Sequence, residues 1–233
     1  IPGPMVALGF ASIEILDDEL PKLGYILSKQ DIVEDYFSNF HDKYANMIKA
    51  RITALPDDER PKVYVGWGTL GYGGYYDVYF GDAHAVKHLI ETAGGKYLFE
   101  DLPGWGGEVD PEELITRGPD MAFYDIRYPN AGYAVDDISN AKAMREEIMD
   151  ELAGVTAVEN GSVYMHYGRI WWYGTSYPVG LSYLAKILHP DLFKDLDPNK
   201  IHKEYLIEWL RTDYDLDEHG VFVYHPEMYP EGK

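Results

Sequence analysis

The feature that most constrains this chain is a change of rhythm at PDDERP, Pro56 to Pro61, where two prolines bracket four charged residues. Before it, Val33, Phe37, Phe40, Tyr44, Ile48 and Ile52 recur at three- and four-residue steps. That spacing predicts one amphipathic helix from Asp31 to about Leu55, roughly 37 Å long at about 1.5 Å per residue. After it, short apolar runs alternate with helical patterns. Val63–Trp67, Asp120–Ile126 and Val163–His166 read as strands; Ala83–Thr92, Ser139–Leu152, Ser176–Leu188 and Pro198–Leu210 read as helices. Such alternation predicts an α/β fold, a three-layer lobe with a mainly parallel sheet flanked by helices. The long helix precedes that lobe.

Local signals fix several boundaries. Asp197 stands before Pro198 as a helix cap, and Asn160-Gly161 is a turn signal ahead of Val163. At the N-terminal end, Pro4 to Gly9 reads as a short strand. Ser12 then caps a helix through Ile15, Leu16, Leu20 and Leu23 that closes at Gly24. The stretch Gly94 to Asp120 is the densest in signals: a glycine pair ends a helix, Tyr97–Phe99 forms a short strand, and Leu102–Gly107 is a loop carrying Trp105. A helix follows, with Asp110 as cap, Pro111 in its first position and Glu113 three residues after the cap, the capping-box spacing. It stops near Gly118-Pro119.

Composition excludes several classes of function. The 40 Asp+Glu against 20 Lys+Arg leave a net charge of −20, which opposes binding to nucleic acid or anionic lipid. No run of about 18 apolar residues suggests a membrane span. With no cysteine, disulfides, thiolate zinc sites and thiol catalysis are excluded. His84 and His88 lie one helical turn apart, but no third ligand or HExxH pattern accompanies them, so no metal site is expected. No cofactor motif is present either; the glycines of Gly66–Gly81 do not form a phosphate loop.

The chemistry concentrates at predicted strand ends, where open parallel sheets bind ligands. GWGTLGYGGYYDVYFG, Gly66 to Gly81, follows the first strand and presents Tyr72, Tyr75 and Tyr76, whose flat faces and polar tips suit a large ring-bearing or chelated ligand. Trp105 is flanked by glycines and hard to bury locally. Arg127 and Arg169 follow strands and can pair with carboxylates or phosphates of a ligand or with the acidic surface around them. Trp171, Trp172 and Tyr173 form a further aromatic cluster, at least one of which is expected in the core. The sequon Asn160-Gly161-Ser162 reads equally as a turn and as a glycosylation site.

The order of these features resembles the C-terminal lobe of the class III substrate-binding proteins of ABC importers, which take up ferric siderophores, haem and cobalamin. GDAHAVKHLIETAGG, Gly81 to Gly95, is similar to the first helix of that lobe. TSYPVGLSYLAKILHPDLFKDL, Thr175 to Leu196, is similar to its penultimate helix and exit; the likeness covers most of residues 62–212. The resemblance implies a remnant of an N-terminal lobe over residues 1–30, an inter-lobe helix over 31–57 and a C-terminal substrate-binding lobe over 61–233. It implies a fragment of a longer, extracytoplasmic, membrane-anchored protein without catalytic residues. The ligand would be an iron complex, ferric siderophore or haem, or cobalamin, held by Tyr72, Tyr75, Tyr76, Trp105, Arg127, Arg169, Trp171 and Tyr173. Glu112, second in its helix, matches the family glutamate that engages an ABC permease dimer; the bland reading of the same residue is helix-dipole complementarity. Two other functions stay open from the residues alone: an extracellular carbohydrate-active hydrolase, for which no carboxylate pair stands out, and a non-transport surface interaction domain.

Overall fold

A computed structural model describes residues 8–9, 13–67, 76–79, 81, 84–126, 129–171 and 174–228. In chain order the elements are α1 Ile13–Ile26, α2 Gln30–Tyr36, α3 Asp42–Ile52, β1 Lys62–Trp67, β2 Tyr76–Tyr79, α4 His84–Thr92, β3 Lys96–Tyr97, β4 Gly106–Val109 and α5 Pro111–Arg117. There follow β5 Met121–Asp125, α6 Ser139–Glu151, α7 Thr156–Glu159, β6 Val163–His166, α8 Gly168–Trp171, α9 Tyr177–Leu188, α10 Pro198–Glu204 and β7 Val223–Tyr224. The sheet has the order β4-β2-β1-β5-β6-β7, with β3 also paired to β1.

The expected parallel sheet is present at the centre. β1, β5 and β6 run parallel in register, Val63 beside Met121 and Ala122 beside Val163, and β3 joins β1 in the same sense. These strands carry near-continuous buried runs such as Tyr64, Val65, Ala122 and Phe123, the pattern of strands covered on both faces. The edges are antiparallel. β2 is antiparallel to β1 and pairs with β4, and β7 is antiparallel to β6. The end of the glycine-rich segment is therefore a strand rather than loop, because Tyr76–Tyr79 finds its hydrogen-bond partners on Gly106–Val109. α3, α4 and α9 pack on one another, and α6 lies along β6.

The helix predicted from Asp31 to about Leu55 runs from Gln30 to Ile52, with a π turn at Phe37–His41 between α2 and α3. A second π turn, Tyr205–Trp209, follows α10. The two turns face each other: Phe40 stacks on Tyr205 with centroids 5.7 Å apart, and Tyr36 meets Trp209 edge-on at 5.3 Å. Tyr36 Oη donates to the carbonyl of Thr175, 2.9 Å away, and Thr175 Oγ1 lies 2.7 Å from Tyr205 Oη. Lower on the same helix, Arg51 holds Asp195 through both terminal nitrogens at 2.6 and 2.7 Å. Burial of Phe40, Ile48 and Ile52 and these polar ties fasten the helix to the lobe.

Other boundaries move by a few residues. α1 continues past Gly24 to Ile26. Of the strand expected over Pro4–Gly9, only Leu8 and Gly9 are described, and they are not in a strand; Ser12 lies outside the described residues. Asn160-Gly161 joins α7 to β6 rather than two strands; Asn160 is exposed, and Gly161 takes φ 72°, a left-handed conformation that favours glycine. No helix among the described residues is long and apolar enough to cross a membrane.

Candidate functional site

Trp67, Asp125 and His166 form one rung across the carboxyl ends of β1, β5 and β6. Paired residues of neighbouring strands share a face of the sheet. Sequence reasoning missed Trp67, because a tryptophan closing a buried strand reads as core. Its ring stands 6.2 Å from that of Trp105, tilted by 45°. Trp67 is half-buried, whereas Trp105 is 58% exposed, so the pair offers one fixed indole and one accessible indole.

The glycines around Trp105 have specific work. Gly104 adopts φ 102°, closed to side chains without strain. A Cβ on Gly106 would come within 2.9 Å of both Trp67 Cη2 and the Val78 carbonyl oxygen, so only glycine lets β4 approach the first indole. The loop before Trp105 is tied down as well. Leu98 N–H donates to Val63 O at 3.0 Å, Gly81 N–H to Leu102 O at 3.0 Å, and Arg117 binds Leu98 O at 2.9 Å. Arg117 also ties Asp101 and Glu113. Glu113 therefore turns to Arg117 instead of closing a capping box onto Asp110.

Asp110 nonetheless caps α5: its Oδ1 accepts the Glu112 N–H at 2.8 Å, with Pro111 in the first turn, and Gly118 ends the helix at φ 57°. Glu112 is exposed at this helix start, the end of α5 nearer the strand carboxyl termini.

On the other side of the rung, Asp125 Oδ1 accepts the Gly168 N–H at 2.8 Å, and a Cβ on Gly168 would sit 2.8 Å from that carboxylate. This contact seats α8 at the end of β6 and leaves Arg169 exposed, with no ion pair among the described residues. Trp171 supplies the core member expected of its cluster rather than a ligand contact. It is fully buried, its ring 4.6 Å from His166 and 5.6 Å from Phe123, and Gly180 of α9 packs against its backbone; it is a core anchor, not a surface contact. Burial pushes His166 down to about pKa 3, so the ring beneath the site is neutral near pH 7.

Of the remaining expected residues, Tyr72, Tyr75, Arg127 and Tyr173 lie outside the described residues, as does Trp172; Tyr76 begins β2, its side chain outside the description. His88 Nδ1 is 3.0 Å from Tyr177 Oη, and no cluster of three metal-ligating side chains occurs among the described residues. The structure thus brings Trp67 and Trp105 together, with Arg169 along the same strand ends.

A family model described as periplasmic binding protein matches residues 4–166. A curated relative, the molybdate-binding protein MolA of Haemophilus influenzae, is 24% identical over 194 residues, covering 80% of this chain and 48% of its own length. The chain thus spans about half of that relative. Among solved structures, the TroA-like periplasmic binding protein FepB from Veillonella parvula superposes with a TM-score of 0.74 at 22% identity, over 91% of this chain and 61% of that one. A periplasmic haem-binding protein from Pseudomonas aeruginosa gives 0.59 at 18% identity, over 78% and 62%.

Proposed function

Because this chain belongs to the periplasmic binding protein family, we propose that it supplies one ligand-binding lobe, with its inter-lobe helix, of an extracytoplasmic substrate-binding protein serving an ABC importer. In this reading residues 1–30 belong to the other lobe, 31–57 bridge the two, and 61–233 capture the ligand without transforming it. The ligand is an iron complex, ferric siderophore or haem, or cobalamin. The observation that carries this reading is the exposed Trp105 standing on Trp67 at the carboxyl ends of the central strands, where a parallel sheet receives ligands. Arg169 meets acidic groups of the ligand at the far side of the strand ends, and Tyr72, Tyr75, Tyr76, Arg127 and Tyr173 contribute further contacts. Glu112 engages the permease from the start of α5.

A second reading, a bare oxyanion ligand, is favoured by the molybdate-binding relative. Fluorescence titration of the complete gene product against ferric hydroxamate, ferric catecholate, haemin, cobalamin and molybdate tests both. Saturable quenching by a chelate or corrinoid supports the first; quenching by molybdate alone replaces it with the second. Glu112→Ala is expected to abolish stimulation of the importer's ATPase while leaving ligand affinity unchanged, and unaltered stimulation would remove the docking role.

A further inference from the structure

Of the six asparagines in the chain, only Asn160 heads an Asn-X-Ser/Thr triplet, Asn160-Gly161-Ser162. The fold sets this triplet in the turn between α7 and β6 and commits its backbone. Asn160 N–H donates to Thr156 O at 3.0 Å, Gly161 N–H to Val158 O at 3.0 Å and Ser162 N–H to Ala157 O at 2.7 Å. The Gly161 carbonyl is held by Arg145 Nη2 at 2.9 Å and His225 Nε2 at 2.8 Å. The Asn160 side chain, by contrast, is exposed and has no hydrogen-bond partner among the described residues. Next to it, a Cβ built on Gly161 would meet no atom within 4 Å, so the space beside the carboxamide is open.

Two chemical fates of an Asn-Gly pair are separated by this geometry. Closure to a succinimide, the route to deamidation, needs the Gly161 nitrogen as nucleophile, and that N–H is tied into the α7 turn. Attachment of a glycan needs an exposed carboxamide, a hydroxyl two residues on and room for a bulky group. The turn also stands at the amino ends of the parallel strands: Asp120 N–H donates to Lys62 O and Ala122 N–H to Ser162 O, which aligns the starts of β1, β5 and β6. β6 runs about 13 Å, at about 3.3 Å per residue, before it reaches the rung of Trp67, Asp125 and His166. Glu112 is remote as well. It opens α5, whose other end, Gly118, faces α7: a Cβ there would lie 3.5 Å from Thr156 Oγ1. Resting on the extracytoplasmic reading above, we propose that Asn160 is an N-glycosylation site. A cellular transferase joins Asn160 Nδ2 to the anomeric carbon of a lipid-linked oligosaccharide phosphate. The anomeric C–O bond breaks, its electron pair leaves with the lipid phosphate, and one amide proton passes to solvent. The glycan covers the amino ends of the strands and leaves their carboxyl ends and the start of α5 open.

The complete gene product is isolated from the cells that natively express it, its compartment is fixed by fractionation, and the tryptic peptide 146–169 is read by mass spectrometry. A sugar mass on Asn160 is expected. Asn160→Gln and Ser162→Ala should abolish it, and Ser162→Thr should keep it. A bare peptide, or one merely deamidated at Asn160, from protein found outside the cytoplasmic membrane overturns the proposal and leaves the substrate-binding reading standing. Protein found only in the cytosol overturns both. A sugar on this peptide that survives Asn160→Gln sits on another residue and also overturns the proposal.

Discussion

Arg117 grips Asp101 with both terminal nitrogens, at 2.6 and 3.0 Å, while its guanidinium lies 4.7 Å over the ring of Phe99. Because the Asp101 carboxylate is largely exposed, the ion pair itself contributes under about 1 kcal/mol. More rests on the bond from Arg117 to the Leu98 carbonyl and on the cover over Phe99, which together hold the loop leading to Trp105. Arg117→Ala is expected to lower stability by about 1–2 kcal/mol. Arg117→Lys should recover little of this, since an ammonium cannot reproduce the planar fork. Urea denaturation measures the loss, and a shift of tryptophan emission would report the loosened loop.

Asp110→Ala should cost about 1 kcal/mol, the usual value of an N-cap, and Asp110→Asn much less. Hydrogen exchange over residues 112–114 is the direct readout, because the Glu112 N–H loses its acceptor. Faster exchange in the alanine variant alone is the expected pattern.

At Gly180 a Cβ would sit 2.5 Å from Trp171 Cα and 2.9 Å from the Ile170 carbonyl oxygen. Gly180→Ala gains about 1 kcal/mol of helix propensity. It loses more, since backbone must move to relieve the overlap, and overpacking of this kind costs about 1–3 kcal/mol. A net destabilisation in thermal unfolding, with faster exchange around Arg169 as α8 is displaced, is expected.

His202 supplies a pH dependence. Its Nε2 lies 2.7 Å from Tyr133 Oη, and its Nδ1 is buried without a hydrogen-bond partner among the described residues. Burial pushes its pKa down to about 3. The unfolded chain, with a histidine pKa near 6.5, takes up this proton first as pH falls. Stability from this group is therefore complete above about pH 6.5 and is lost progressively below it, toward pH 3. His202→Gln is less stable than the parent at pH 7, where the Tyr133 contact is missing. The gap should narrow by roughly 1 kcal/mol on going to about pH 5.5. A gap that stays constant across that range would contradict the assignment.

How much of this was readable beforehand depends on how local each cause is. β6 begins and ends at the residues expected from its apolar run, and α5 at its Asp-Pro start and glycine stop, because strand patterns and helix caps act within a few residues. The β2–β4 pairing was not legible: it joins residues about thirty positions apart, and both partners lie in glycine-rich stretches that read as loop. The π turn at Phe37–His41 was invisible because one extra residue leaves steps of three and four intact on either side. Within the site, Trp105 announced itself through its glycines, whereas Trp67 passed as an ordinary strand residue and nothing in the cluster Trp171–Tyr173 said which ring would be the core one. A tryptophan's neighbours in sequence do not say which face of a sheet its ring will share.

The π turn in the long helix sets a phase. An α-helix advances about 100° per residue, so one residue more or less in Phe37–His41 rotates everything before it by that angle relative to everything after. Tyr36 reaches Thr175, and Ile48 and Ile52 reach the core, only because the two halves of the helix are wound out of step by this one turn. The stretch behaves as an angular coupling: what is carried on α1 and α2 inherits its azimuth relative to α3 from one surplus residue in a turn whose Phe40 packs on both Tyr205 and Trp209.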